Sequence, residues 1–305
     1  DFNGITDQVT VDGSLYELPF RSDYWLIYYN KDVFDAAGIA YPSNDMTMED
    51  YDALARQLTD TTYGSQVYGC HYHTWRSAVE LFGILDGKHS ILDGNYDWMI
   101  PYYDMILSEE DDGVCQTYTD LSTEGLHYSA AFSNGNVAMM NMGSWFISTL
   151  ISNLDSGEYD SSLCGNWGIA SYPHPDGAEA GSTIATITGL AVTSASANKD
   201  AAFDFVNWVS GTEGAKVMAS TGNFPAIMTD DVINTIAGMA GFPTDESSKE
   251  ALNITNAYLE VPYAENVSEI NSILDTYHTS IMNREVTVEE GVASMNEQVG
   301  KILNQ

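Results

Sequence analysis

The clearest fold signal in the sequence is LIYYNKDVFDAAG, residues 26–38. Its first four residues are apolar or aromatic and predict a short buried strand. Asn30-Lys31-Asp32 then begins a brief helical segment, and Gly38 is expected to end it because glycine readily adopts the left-handed conformation that closes a helix. A strand that passes into a helix is typical of α/β proteins.

Strand and helix signals alternate along the rest of the chain. Thr47-Met48-Glu49-Asp50 has the hydroxyl-to-carboxylate spacing of a capping box and predicts a helix start. Val137–Met140 predicts a buried strand that leads to Gly143-Ser144-Trp145 and a following helix, and Trp167–Ala170 and Ile187–Val192 predict two more strands. This alternation indicates an α/β architecture with ligands bound at strand ends.

Two helices are predicted near the end of the chain. Asn198 is expected to cap a helix whose apolar positions include Phe205 and Val206, with spacing typical of a core-facing stripe. Thr287 and Glu290 form a second capping box, which predicts that the chain ends on a helix.

Composition narrows the classes of function. The 305 residues carry 44 acidic and 10 basic side chains, a formal net charge of -34, which argues against nucleic acid as a partner. No apolar run approaches the length of a membrane span. The three cysteines are widely spaced and odd in number, so they predict buried free thiols or one bridge rather than a disulfide framework or a zinc site.

Several motifs follow one another in an order that resembles a known protein family. Residues Gly13–Pro19, Tyr28–Phe34 and Ala37–Pro42 resemble the signature G-x-x-Y-x-x-P, YNKD-x-F, AGI-x-x-P of the family 1 extracellular solute-binding proteins, the maltose-binding type II group of ABC importers. Further matches, weak singly, follow in the family's order: Ala130–Met139, Gly143-Ser144-Trp145, Trp167-Gly168-Ile169 with Pro173 and Pro175, Asn198–Val206 and Gly222–Ala226.

The resemblance implies a type II periplasmic-binding fold of two lobes, each with a helix-flanked sheet. In the family a sizeable N-terminal stretch precedes these motifs, so lobe one is expected to be incomplete here and the isolated chain to bind ligand weakly or not at all. The expected division is a lobe-one remnant and hinge at 1–22, lobe two at 23–185, a lobe-one return at 186–242 and the C-terminal lobe-two helices at 243–305.

The function that the resemblance implies is capture of a mono- or oligosaccharide for the permease subunits of an ABC importer, without catalysis or a cofactor. The protein is expected to be a monomer outside the cell membrane, in the extracellular space or periplasm, and lipid-anchored. Two alternatives stay open: a glycoside hydrolase that uses two carboxylates, and a surface adhesion protein. The sequence contains no G-x-S-x-G, phosphate loop or H-E-x-x-H motif.

A sugar site needs aromatic faces for C–H groups and polar groups for hydroxyls. The resemblance makes Trp145 the stacking tryptophan of lobe two, although a core position is the alternative. Asp23 lies where relatives place a carboxylate, with a solvated loop residue as the equal alternative, and Arg21 is expected to pair with Asp23 or to reach the ligand.

The remaining candidates come from three other segments. Tyr72 and Trp75 are predicted to form a second aromatic platform, with His73 between them. Thr188 lies at the return crossing between lobes, where hinge packing is an equal alternative, and Glu269 is selected from a late lobe-two helix. His71 and His73 would share a strand face, but no third ligand lies at diagnostic spacing, so no metal is predicted.

Overall fold

The strand predicted at residues 26–29 is part of a longer strand in the computed structural model, which describes residues 6, 9–60 and 66–304. The strands of this part of the chain are β1 (Leu18–Asn30), β2 (Tyr68–His71), β3 (Val137–Gly143), β4 (Trp167–Ser171), β5 (Thr183–Leu190) and β6 (Ala257–Leu259).

Helices follow most of these strands along the sequence. They are α1 (Lys31–Ala37), α2 (Met48–Leu58), α3 (Ser77–Ile84), α4 (Ile100–Asp111), α5 (Tyr118–Glu124), α6 (Tyr128–Ser133), α7 (Trp145–Ser156), α8 (Ser161–Cys164), α9 (Lys199–Val209), α10 (Thr212–Ala219), α11 (Asp230–Ala237), α12 (Glu246–Glu250), α13 (Val267–Met282) and α14 (Val288–Leu303). A 3₁₀ turn at Asp97–Met99 precedes α4.

The central strand β1 changes partners along its length. The sheet order is β2-β3-β1-β5-β6, with β4 also paired to β1. From Leu18 to Tyr24, β1 pairs antiparallel with β5, and from Trp25 onwards it pairs antiparallel with β3 and, from Leu26, with β4. The predicted strand covers only the second half of β1, because Arg21, Ser22 and Asp23 interrupt the apolar pattern of the first half.

The local signals for helix ends are confirmed. The Asn30 side chain accepts a hydrogen bond from the Asp32 amide at 3.1 Å, and Gly38 closes α1 with φ of 69°. Thr47 and Asp50 form the predicted capping box at the start of α2, with both bonds at 3.1 Å. The same device, at Thr287 and Glu290, begins α14.

Helix α9 departs from its prediction. Asn198 precedes the helix but makes no side-chain capping bond, and Val206 is the residue of α9 that is buried. Phe203, Phe205 and Trp208 are 56%, 59% and 50% exposed. The interpretation of Phe205 as a core residue is therefore wrong, because α9 packs against the rest of the described chain mainly through Val206.

Most of the core lies where the second half of β1 meets β3, β4 and the helices around them, and Ile27, Tyr28, Met140 and Phe146 are fully buried there. In the described residues, no helix combines the length and apolar character needed to cross a membrane. The four-part division into lobes stays a prediction.

Candidate functional site

A pocket of about 500 Å³ opens beside the point where β1 changes partners. One side is aromatic and the other is charged. Its lining residues are Trp25, Thr74, Trp75, Arg76, Ser77, Glu80, Trp145, Thr186, Glu260, Asn271, Asp275, His278 and Thr279.

Three tryptophans form the aromatic side of this pocket. The ring centroids of Trp25 and Trp145 lie 5.5 Å apart at an interplanar angle of 83°, and those of Trp75 and Trp145 lie 6.2 Å apart at 56°. Trp25 is buried in β1, whereas Trp75 is 40% exposed and Trp145 is half-buried. Trp25 therefore supports the other two rings, whose faces remain accessible to a ligand.

The position of Trp145 depends on the end of β3. Gly143 is the last residue of β3, and a Cβ atom there would lie 2.0 Å from the Trp145 ring, so only glycine leaves room for the ring at this place. The Trp145 Nε1 donates a hydrogen bond to the Tyr128 hydroxyl at 3.1 Å. Both contacts hold the indole in one orientation before a ligand arrives, which lowers the entropic cost of binding.

The charged side of the pocket is organised by Arg76, which is buried. Its Nε lies 2.8 Å from the Asp275 carboxylate, its Nη2 lies 2.5 Å from the Asn271 Oδ1, and its Nη1 pairs with Glu80 one helical turn away. These fixed donors and acceptors match the hydroxyl groups of a polar ligand.

Burial shifts the pKa values of two carboxyl groups in the pocket. Burial raises the pKa of Glu80 to about 7, although the Arg76 charge opposes the shift. Burial also raises the pKa of Glu260, whose carboxylate accepts a hydrogen bond from the Thr186 hydroxyl at 2.6 Å. The pocket thus contains a carboxyl group that changes charge near neutral pH.

Trp145 and Trp75 are the predicted site residues that the structure brings together in this pocket. Asp23 and Arg21 on the first half of β1, and Thr188 on the neighbouring β5, lie outside the lining of this pocket. Asp23 is buried, accepts a hydrogen bond from Ser144 at 2.9 Å and pairs with Arg21 at 2.6 Å. Burial raises the pKa of Asp23, and Arg21 opposes that shift. Thr188 is exposed and lies opposite Arg21 in the ladder with β5.

Tyr72 and His73 do not line the pocket. Tyr72 is only 6% exposed and packs against Tyr51 and Phe82, so the prediction of a sugar platform is corrected here: the ring of this segment that faces the pocket is Trp75. His73 packs at 4.6 Å against the Trp75 ring and at 5.4 Å against Tyr128. Burial lowers the pKa of His73 to about 4, so it supports these rings as a neutral side chain.

Glu269 is exposed and does not line the pocket. The residues of α13 that do so are Asn271, Asp275, His278 and Thr279, which share one helix face because they are spaced by three or four residues. Glu269 lies two residues before this series and therefore points in another direction. The structure therefore contradicts the placement of Glu269 in this pocket, which Asn271 and Asp275 line instead.

Sequence reasoning missed Trp25, Arg76, Glu80 and Glu260. Arg76 and Glu80 do carry a local signal, because an arginine and a glutamate four residues apart on a helix can pair. Glu260 carries none, since its role depends on β6 reaching the pocket beside β5.

A second, more apolar cavity of about 570 Å³ adjoins the first and shares Thr186 and Glu260 with it. Its other lining residues include Ile187, Val261, Pro262 and Tyr263. The two cavities thus share a wall formed by Thr186 and Glu260.

Comparison with known proteins gives consistent results. Residues 1–216 match the family described as bacterial extracellular solute-binding protein. The structure of a sugar transporter from Rhizobium etli, in an open conformation, is 48% identical with a TM-score of 0.92, covering 98% of this chain and 75% of that one. An ABC substrate-binding protein from Listeria monocytogenes in complex with cycloalternan is 22% identical with a TM-score of 0.79, covering 98% of this chain and 74% of its own.

A mannitol-binding protein from Pseudomonas aeruginosa is 24% identical over 223 residues, which are 70% of this chain and 49% of that protein. The chain thus spans about half the length of this curated relative and three quarters of the solved structures. The predicted α/β fold of the type II periplasmic-binding group is confirmed by these likenesses.

Proposed function

Because the chain belongs to the family of bacterial extracellular solute-binding proteins, we propose that it captures a carbohydrate in the tryptophan-lined pocket for delivery to an ABC importer. The observation that carries this proposal is the pairing, in one pocket, of accessible Trp75 and Trp145 rings with the buried Arg76 cluster.

Each part of the pocket suits one part of a sugar. The tryptophan faces suit the C–H faces of a pyranose or the carbon backbone of a sugar alcohol. The Arg76 donors and the carboxylates of Glu80, Glu260 and Asp275 suit hydroxyl groups, which both donate and accept hydrogen bonds. The names of the relatives include a sugar alcohol and a cyclic oligosaccharide, so both chemical classes belong in a test.

Hinge closure would complete the site. The change of partners in β1 between Tyr24 and Trp25 lies beside the pocket and is our candidate for the crossing between lobes, with Asp23 and Arg21 next to it. Family membership implies a periplasmic or extracellular location. A lipid anchor and a monomeric state complete this proposal, and permease subunits are the proposed partner.

The hydrolase alternative loses its support, because the family consists of solute-binding proteins and not enzymes. A direct check is the release of reducing ends from an oligosaccharide panel, and release at a rate abolished by Glu80→Gln would restore the alternative. No observation in the structure favours an adhesion protein.

Tryptophan fluorescence tests the proposal, since three of the six tryptophans line the pocket. The intact protein is titrated with monosaccharides, sugar alcohols and oligosaccharides, with amino acids as the comparison class. We expect a saturable change in emission with at least one carbohydrate and none with the amino acids. A response to amino acids alone would contradict a carbohydrate ligand.

A further inference from the structure

A second cluster of polar side chains lies in the core, apart from the tryptophan-lined pocket. Cys70 in β2, Glu109 in the last turn of α4 and Cys115 just after α4 place one sulfur or oxygen atom each within 4.8 Å of one another. The backbone brings them together: the Cys70 amide donates to the Val114 carbonyl at 3.4 Å, and the Val114 amide donates to the Glu109 carbonyl at 2.8 Å.

These groups are buried without adequate polar partners. All three side chains are buried, and both cysteines are free thiols. Neither oxygen of Glu109 has a hydrogen bond of good geometry among the described residues, although the Tyr72 hydroxyl and the Asp52 carboxyl lie close to it. A buried carboxyl group without a partner is costly, so a native core that keeps one calls for an explanation.

The geometry fits a missing positive charge. Thiolates and carboxylates are the forms that ligate metal ions, so a divalent cation among these three groups would give each of them a charged partner.

We propose that Cys70, Cys115 and Glu109 bind a zinc ion that stabilises this part of the fold. Two thiolates and one carboxylate bring a charge of -3, so the divalent ion leaves -1. Arg56 lies near Glu109 and Cys115, and its own charge is shared with Asp52 and Asp112. Binding releases the protons of both thiols and of any protonated carboxyl to water, with no redox step.

The chemical types of the three ligands indicate which metal ion would bind. Sulfur ligands disfavour Ca²⁺ and Mg²⁺, whereas zinc accepts cysteine and carboxylate ligands together. Zinc–sulfur bonds of about 2.3 Å and zinc–oxygen bonds of about 2.0–2.2 Å place ligand atoms roughly 3–4 Å apart. A disulfide between Cys70 and Cys115 is the competing outcome, but it would leave the Glu109 carboxyl without a partner.

The test measures metal content and affinity in the intact protein. The protein is stripped with a chelator under reducing conditions, titrated with zinc chloride and analysed by elemental mass spectrometry. We expect one zinc ion per chain in the wild type. Losing an outer partner of a ligand already costs roughly 10–100-fold in affinity, so Cys70→Ser, Cys115→Ser and Glu109→Gln should each weaken binding by at least roughly 100-fold.

Cys164→Ser is the matched control, because Cys164 is also a buried free thiol but lies on α8, outside the cluster. It should retain the wild-type zinc content. Should the cluster variants fail to fold, substitution of cobalt for zinc in the wild type replaces them, since thiolate ligands give an intense charge-transfer absorption. Absence of zinc uptake, unchanged zinc content in the folded Cys70→Ser variant, or recovery of Cys70 and Cys115 as a disulfide after zinc treatment would overturn the proposal.

Discussion

Replacing Trp145 by alanine should weaken carbohydrate binding several-fold while leaving the protein folded. The Trp145 ring packs edge-to-face on Trp25 at 5.5 Å and is half-buried before ligand binds, so its accessible face is the part that a sugar would cover. Covering an aromatic side chain fully contributes about 1.5–3 kcal/mol, and every 1.4 kcal/mol is about tenfold in affinity. Because Trp145 is already half-buried, about half of this value remains to be gained on binding, and we expect a loss of roughly 3- to 12-fold.

Calorimetric titration of the intact protein with its carbohydrate measures this loss. Trp145→Phe keeps a ring and should lose less affinity than Trp145→Ala. Trp208→Ala is the control for removal of a partly exposed tryptophan, because Trp208 lies on α9, which contributes no lining residue to the pocket. Equal affinity of Trp145→Ala and the wild type would refute the assignment of this ring to the ligand.

Three further outcomes are expected. Arg76→Ala should lower the free energy of unfolding in chemical denaturation by up to about 3–5 kcal/mol above pH 7, where the buried Glu80 carboxylate is charged and would lose its partner. No loss above pH 7 would contradict the pairing. Burial raises the pKa of Glu80 from 4.5 to about 7, so the folded state binds this proton more tightly than the unfolded state does. The free energy of unfolding should therefore fall as pH rises from about 4.5 to 7, and Glu80→Gln should lack that decline in chemical denaturation. The same pH profile in Glu80→Gln and the wild type would contradict the raised pKa. Gly143→Ala should weaken binding by displacing the Trp145 ring, with little change in secondary structure by circular dichroism; wild-type affinity would mean that the ring position is not needed.

Much of the fold follows from local sequence signals. The capping boxes at Thr47 and Thr287, and the glycine that ends α1, involve neighbouring residues only, so they can be recognised from the sequence alone. Trp145 could be selected because Gly143-Ser144-Trp145 resembles a family motif made of neighbouring residues. The length of β1 could not, because its polar first half becomes a strand only through pairing with β5.

The rest of the site depends on contacts between distant segments. Arg76 reaches Asp275 and Asn271 across almost two hundred residues, and nothing in the local sequence of α13 distinguishes them from Glu269. Tyr72 and Trp75 carry equivalent aromatic signals, yet the turn after β2 buries the first and exposes the second. The two cysteines of the proposed zinc site meet only because β2 pairs with the segment after α4.

The most direct test of the central claim is a crystal structure of the intact protein with the carbohydrate that binds it best. We expect the ligand against the faces of Trp75 and Trp145, with its hydroxyl groups hydrogen-bonded to the Arg76 cluster or to Glu260. A carbohydrate bound elsewhere, with both rings and Arg76 left free of it, would show that this pocket is not the ligand site.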